Sequence, residues 1–149
     1  MKKIILTIMT LSILVSCANR NNTKNDNISP YDAIQMAAAA AENESQVNGV
    51  FGLTIQAVGN QGPIWYLNSE QDYRDQRNLT IAIAPHVKAE LVEKYGKDME
   101  SIFKGKTIHV EGEAKRVKIS IYDEKGKKLK PYYYQTHVRV TNIHKIEFQ

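Results

Sequence analysis

The sequence is poor in cysteine, because Cys17 is the only one in 149 residues. A single cysteine cannot form a disulfide within the chain, so a disulfide-stabilised fold is excluded. The chain also lacks the G-x-S-x-G and H-E-x-x-H patterns that mark many hydrolases and zinc proteases. These absences favour a protein that binds over an enzyme, and they predict no cofactor.

Long apolar runs are also absent. The most apolar stretch, IILTIMTLSILV at 4–15, is too short to span a bilayer comfortably. Lys2 and Lys3 precede it, and the small residues Ser16 and Ala18 lie close behind it. This order of charged, apolar and small residues predicts a secretory signal peptide at 1–16.

The residues Leu14-Val15-Ser16-Cys17 resemble the lipobox of bacterial lipoproteins. The resemblance implies that Cys17 is lipidated, with palmitate among the acyl chains, and becomes the mature N-terminus. Ala18 follows where Asp would be expected for retention in the inner membrane. By resemblance to enteric lipoproteins this implies an outer-membrane anchor facing the periplasm. An ordinary signal peptide with an incidental cysteine, or an N-terminal anchor helix, is the alternative.

Residues 17–27 are predicted to form a disordered tether, because Asn19 to Asn27 reads NRNNTKNDN without an apolar residue. Removal of the signal peptide also removes Lys2 and Lys3, so the net charge falls from +4 to +2. The overall charge is therefore a weak argument for nucleic acid as the partner.

Residues 28–149 are predicted to form one domain. A helix is expected at 29–44, because Ser29 can cap it and Pro30 fits its first turn. The strands expected between 46 and 148 are Gln46–Val58, Pro63–Asn68, Leu79–Ala84, Thr107–Val117 and Tyr132–Asn142, with a short closing strand within Ile143–Phe148. Between the third and fourth strands, apolar residues recur at helical spacing after Pro85. Gly96 is expected to divide that segment into two short helices.

The stretches VNGVFGLTI, IWYLN, NLTIAIA and FKGKTIHVEGEAKRV, with the helix between the last two, resemble the OB-fold. That resemblance implies a mainly β domain with helices: a five-stranded Greek-key barrel with a helix between strands 3 and 4. The N-terminal helix is an addition to it. It also implies a binding face across strands 2 and 3, flanked by the loops between strands 1 and 2 and between strands 4 and 5. Another small barrel, or a β-sandwich with an inserted helix, is the alternative.

The loop between the last two long strands is strongly basic. Its cations are Lys115, Arg116, Lys118, Lys125, Lys127, Lys128 and Lys130. Tyrosines follow at 132–134, and cations beside aromatic rings suit a polyanion. The predicted ligand surface comprises Trp65, Tyr73, Lys118, Lys125, Lys127, Lys128 and Tyr133. A solvated hairpin whose lysines prevent aggregation is the alternative, as is Trp65 or Tyr66 lying in the core.

The sequence therefore predicts a lipid-anchored, non-enzymatic binding module of the cell envelope. Its expected partner is an anionic polymer, an anionic lipid or an envelope protein. An exported OB-fold nucleic-acid binder or nuclease is the alternative, although export argues against nucleic acid.

Two further polar clusters resemble chemical sites but are expected to be solvated surface. His109, Glu111 and Glu113 share one strand face and, with His137, could hold a metal, but exposed charged strand faces are common. The sequence predicts no metal there. The acidic and arginine residues between Asp72 and Arg77 lack a clear catalytic pair and are expected to form a polar surface loop.

Overall fold

The computed structural model describes residues 27–149. The predicted signal peptide, Cys17 and the tether up to residue 26 lie outside this range. The described chain is mainly β, with one sheet of seven strands and a few helices. The helices are α1 Pro30–Ala41, α2 Pro85–Tyr95, α3 Met99–Phe103 and a 3-10 turn at Ile143–Lys145. The strands are β1 Val47–Thr54, β2 Ala57–Gln61, β3 Ile64–Asn68, β4 Leu79–Ile83, β5 Thr107–Tyr122, β6 Lys128–Val140 and β7 Ile146–Phe148.

Helix α1 begins as the sequence predicts. The Ser29 hydroxyl accepts a hydrogen bond from the Asp32 backbone N–H at 3.2 Å, and Pro30 occupies the first turn. The helix ends at Ala41, three residues before the predicted boundary. Its buried residues are Ala33 and Ala37, so a narrow, small-residue face packs against β1 and β5.

The strand order in the sheet is β1-β5-β6-β4-β3-β2, with β7 added beside β5. β4 and β6 are parallel, and the other neighbours are antiparallel. The order has two ends, β1 and β2, and no strand pair joins them. These end strands are nevertheless consecutive in the chain, separated only by Ile55 and Gln56.

Ile55 and Gln56 explain why the predicted first strand becomes two. The Ile55 N–H donates to the Lys106 carbonyl at 2.9 Å, while the Gln56 N–H donates to the Asn68 carbonyl at 2.9 Å. The chain therefore changes partner at this point, from β5 to β3. The predicted end of the first strand at Val58 is wrong, because β2 continues to Gln61 and the chain turns at Gly62, whose φ is 58°.

The helical segment between β4 and β5 matches the prediction closely. Gly96, with φ of 95°, ends α2, and Asp98 caps α3 through its carboxylate. The predicted apolar stripe supplies the buried residues Val87, Leu91, Met99 and Phe103. Within residues 27–149, no helix combines the length and apolar character needed to cross a membrane.

Strands β5 and β6 extend beyond the rest of the sheet. β1 pairs with β5 only up to Ala114, and β4 pairs with β6 only from Thr136 onward. Residues 115–135, here called the hairpin arm, thus form a two-stranded ribbon to which the described chain adds no third strand. The predicted basic turn is shorter than expected, because only the residues from Asp123 to Lys127 make the turn and β6 starts at Lys128.

Candidate functional site

A groove of about 720 Å³ lies on the outer face of the sheet. One wall comes from β2 and β3, and the other from the hairpin arm. The loop 69–78 closes one side. Its aromatic lining consists of Tyr66, Tyr73, Tyr122, Tyr133 and His137, and its amide lining of Asn60, Gln61, Asn68, Gln71 and Gln135.

Strand alternation places the groove side chains. Trp65 and Leu67 of β3 are buried in the core, so Tyr66 between them points to the opposite face. The registers Tyr66↔Ala82 and Thr80↔His137 then put His137 of β6 on that same outer face. The rings of Tyr66 and His137 are 6.1 Å apart, centroid to centroid.

A buried amide network positions the loop 69–78. The Asn78 side-chain amide donates to the Asn68 Oδ1 at 3.0 Å and to the Thr80 Oγ1 at 2.9 Å. The same amide donates to the Tyr73 backbone carbonyl at 3.3 Å, while the Glu70 N–H donates to the Asn78 Oδ1 at 3.1 Å. One buried side chain therefore holds both ends of the segment that carries Tyr73.

We predict that Asn78→Ala destabilises the domain by about 1–3 kcal/mol, because buried partners lose their hydrogen bonds. The loop should also open locally, so trypsin should cut faster after Arg74 and Arg77. Urea unfolding and limited proteolysis measure both effects. Gln71→Ala, at an exposed position in the same loop, is the matched control. Equal resistance to trypsin in the Asn78→Ala and Gln71→Ala proteins would contradict this role of Asn78.

Gln135 joins the loop to the hairpin arm. Its Nε2 donates to the Tyr73 carbonyl at 2.9 Å and to the Tyr133 hydroxyl at 3.3 Å. Its Oε1 lies 2.7 Å from His137 Nε2 and, as an acceptor only, requires the ring N–H at that nitrogen. Gln135 thus fixes the positions of both tyrosines and the tautomer of the histidine.

Burial sets the protonation states on this face. Desolvation lowers the pKa of His137, so the ring is neutral at pH 7. Burial, followed by the neighbouring Tyr73, raises the pKa of Tyr133, which keeps its hydroxyl protonated. The groove therefore presents neutral donors and acceptors from these side chains.

Arg74 is the only charged residue among those that line the groove. Its guanidinium contacts the Asp72 carboxylate at 3.1 Å, and this hydrogen bonding lowers the pKa of Asp72. Arg77 pairs likewise with Asp75 at 2.8 Å and lowers the pKa of that carboxyl to about 2. Asp72 and Asp75 thus each contact the arginine two residues on, and both are surface ion pairs.

The structure brings together only part of the predicted ligand surface. Tyr73 and Tyr133 both line the groove. Trp65 does not, because it is 4% exposed and belongs to the core, with the Lys88 Nζ 5.2 Å from its ring centroid. The interpretation of Trp65 as core is therefore confirmed, and its inclusion in the ligand surface is wrong.

The four predicted lysines also lie away from the groove lining. Lys118 pairs with Tyr134 on the opposite face of the hairpin arm. Lys125 and Lys127 are in the exposed turn, and Lys128 is exposed at the start of β6. Sequence reasoning missed Gln135 and Arg74 as site residues. Strand alternation could have placed Gln135 on the same face as Tyr133. The parallel pairing of β4 with β6, which brings that face beside β4 and β3, could not be predicted from the sequence.

Two of the strand residues considered for a metal, His109 and Glu111, contact other side chains. Asn27 Nδ2 lies 2.7 Å from His109 Nε2, and Lys145 contacts Glu111 at 3.1 Å. His137 pairs across from Thr80 and lies on another part of the sheet. In the part of the chain that the structure describes, no three potential ligands come together.

No protein-family model matches the chain, and a search of curated proteins finds no significant match.

Proposed function

We propose that this protein is a lipid-anchored, non-enzymatic binding module of the bacterial cell envelope. Its groove would hold one stretch of a linear, uncharged glycan. The observation that carries the proposal is the lining of the groove, in which tyrosine rings alternate with side-chain amides and the single cation has its own carboxylate.

An OB-fold-like barrel is the architecture proposed for the domain. In support, β1 and β2 are consecutive and can be read as two halves of one strongly bent strand. The order then becomes the five-strand order of a Greek-key barrel, with a parallel β4–β6 pair and helices between β4 and β5. The groove lies across the face that this fold commonly uses for ligands.

The groove chemistry favours a sugar chain. The apolar faces of sugar rings can stack on Tyr66, Tyr73 and Tyr133, as flat groups do on aromatic side chains generally. Amides supply both donors and acceptors, which matches sugar hydroxyl groups. A few convergent polar groups among apolar walls are also what fixes ligand orientation in known sites.

The binding test uses the chain from Ala18 onward, which keeps every described residue and the whole core. Calorimetry against chito-, cello- and malto-oligosaccharides should show binding that changes little with salt concentration. Heparin and an oligothymidylate serve as charged comparisons. If none of the neutral oligosaccharides binds, the glycan proposal is wrong.

Binding of a polyanion, including single-stranded nucleic acid, is the second candidate. The observation in its favour is that none of the seven cations between Lys115 and Lys130 forms an ion pair within residues 27–149. It predicts heparin or DNA binding that weakens steeply with salt and is lost in Lys127→Glu with Lys128→Glu. A nuclease would in addition cut single-stranded DNA, with or without calcium.

The anchor has its own test, because Cys17 lies outside the described residues. We predict that Cys17→Ser abolishes lipidation, so the protein is released from membranes or remains unprocessed. Membrane fractionation and the mass of the mature N-terminus measure this. Ser16→Ala, which keeps a small residue beside the cysteine, is the control. Unchanged fractionation and processing of the Cys17→Ser protein would exclude the lipoprotein assignment.

A further inference from the structure

The hairpin arm has a second face that the groove does not use. It consists of Arg116, Lys118, Tyr132 and Tyr134, here called the tyrosine–cation face. The Arg116 guanidinium lies 4.0 Å from the Tyr134 ring centroid, and the Lys118 ammonium lies 3.7 Å from the Tyr132 centroid. The two rings meet edge to face with centroids 5.6 Å apart.

The exposure of this face follows from the strand pattern. Thr136, Val138 and Val140 point into the core, so Tyr134 and Tyr132, two and four residues before Thr136, continue the same face of β6. The core ends where β1 stops pairing with β5, at Ala114, and where β4 stops pairing with β6, at Thr136. Tyr132 and Tyr134 are therefore 49% and 41% exposed, although their alternation is that of core residues.

The charge of the face is not offset by carboxylates. Within residues 27–149, neither Arg116 nor Lys118 forms an ion pair. Asp123, the nearest acidic residue along β5 toward the tip, is engaged in the turn, where it accepts from the Lys125 and Lys127 N–H groups at 2.9 and 2.8 Å. The result is an exposed surface of two phenol rings and two free positive charges, with further lysines at the tip.

We propose that the tyrosine–cation face docks on an anionic lipid bilayer. Tyrosine places an apolar ring and a polar hydroxyl at the headgroup level, and lysine and arginine side chains extend along apolar surface toward anionic headgroups. Each basic residue near such a surface strengthens binding, so several in one face act together. The cation–π contacts hold these long side chains in place, which lowers the entropy cost of docking.

Two features favour a bilayer over nucleic acid as the occupant. Both rings already carry a cation of this chain over them, which leaves less ring face for base stacking. The segment between Cys17 and Asn27 is also short, since ten residues can span at most about 35 Å. This second argument rests on the proposed lipid anchor, which would keep the domain within one domain diameter of the membrane.

The test measures co-sedimentation of the chain from Ala18 onward, which lacks the lipid, with two kinds of vesicle. One kind is pure phosphatidylcholine, and the other contains equal amounts of phosphatidylcholine and phosphatidylglycerol. We expect binding to the anionic vesicles alone. Arg116→Gln with Lys118→Gln should weaken it at least about tenfold, and Tyr132→Ser with Tyr134→Ser should weaken it about fivefold.

Two matched variants serve as controls. Lys104→Gln with Lys106→Gln makes the same charge change at the corner between α3 and β5, and Tyr31→Ser removes a tyrosine that is 67% exposed on α1. Both should bind anionic vesicles like the parent chain, and thermal melts should show all variants folded. The proposal would be overturned if every variant bound anionic vesicles equally. It would also be overturned if Lys104→Gln with Lys106→Gln lost as much vesicle binding as Arg116→Gln with Lys118→Gln.

Preference for a polyanion would overturn it as well. If heparin or oligothymidylate binds the tyrosine–cation face and competes fully with the vesicles, the face is a polymer site. The groove lies on the other face of the arm. Substitutions that abolish vesicle binding are therefore expected to leave oligosaccharide binding unchanged, and substitutions in the groove are expected to leave vesicle binding unchanged. Loss of one therefore leaves the proposal for the other intact.

Discussion

Replacing both Tyr73 and Tyr133 by alanine should weaken glycan binding in the groove by about a hundredfold or more. Stacking of a nucleobase on one aromatic side chain contributes about 1–3 kcal/mol by alanine substitution, and we expect a similar contribution when a sugar ring stacks on each of these two tyrosines, which come from the loop 69–78 and the hairpin arm. Calorimetry with the oligosaccharide that binds the parent chain most tightly measures the loss. Tyr133→Phe, which keeps the ring and removes the hydroxyl, should lose much less.

The control for this pair is Tyr31→Ala with Tyr95→Ala. Both tyrosines are exposed, at 67% and 45%, and neither lines the groove. Their removal should leave the dissociation constant unchanged. Full affinity in the Tyr73 and Tyr133 double variant, with a normal thermal melt, would show that the groove is not the site.

Replacing Gly112 by valine should destabilise the domain by about 3 kcal/mol. A Cβ at this position would lie 2.8 Å from the Val138 Cγ1, which belongs to a fully buried and stiff side chain. Overpacking of a dense core costs about 1–3 kcal/mol, and valine adds two further methyl groups to the clash. Urea unfolding followed by circular dichroism measures the change.

Gly49 provides the comparison, because it lies directly across from Gly112 in the β1–β5 pair. There an added Cβ would meet the Cδ1 of Ile28, the free end of a side chain that is only partly buried. Gly49→Val should therefore cost clearly less than Gly112→Val. Combining Gly112→Ala with Val138→Ala should cost less than the sum of the two single changes, and strict additivity would refute the proposed contact.

Local signals in the sequence predicted most of the secondary structure. Ser29 and Pro30 marked the start of α1, and Gly96 marked the break between α2 and α3. The alternation of apolar and polar residues along β4, β5 and β6 is enough to identify the buried faces that carry Ile81, Ile108 and Val138. These features depend on neighbouring residues along the chain, so hydrophobic periodicity and capping chemistry are enough to find them.

The boundary errors arose where tertiary pairing overrides local preference. The first strand was predicted to end at Val58, yet pairing with β3 holds the chain extended through Gln61. The predicted first strand looked continuous, yet its backbone changes partner at Ile55 and Gln56. An isoleucine followed by a glutamine does not signal a change of strand partner. The cause is where the Lys106 and Asn68 carbonyl groups, which accept the two hydrogen bonds, lie in the folded chain.

For the site, the sequence alone determined a basic hairpin followed by tyrosines and placed Tyr73 and Tyr133 on the candidate surface. Only the tertiary structure divided that hairpin into two faces with different chemistry. One face joins Tyr66, Gln135 and His137 in a neutral groove, and the other exposes Arg116 and Lys118 over their tyrosines. The physical reason is that alternation fixes which side chains share a face. β1 pairs with β5 only up to Ala114 and β4 pairs with β6 only from Thr136, and these limits decide where the inner face meets the core and where it meets solvent.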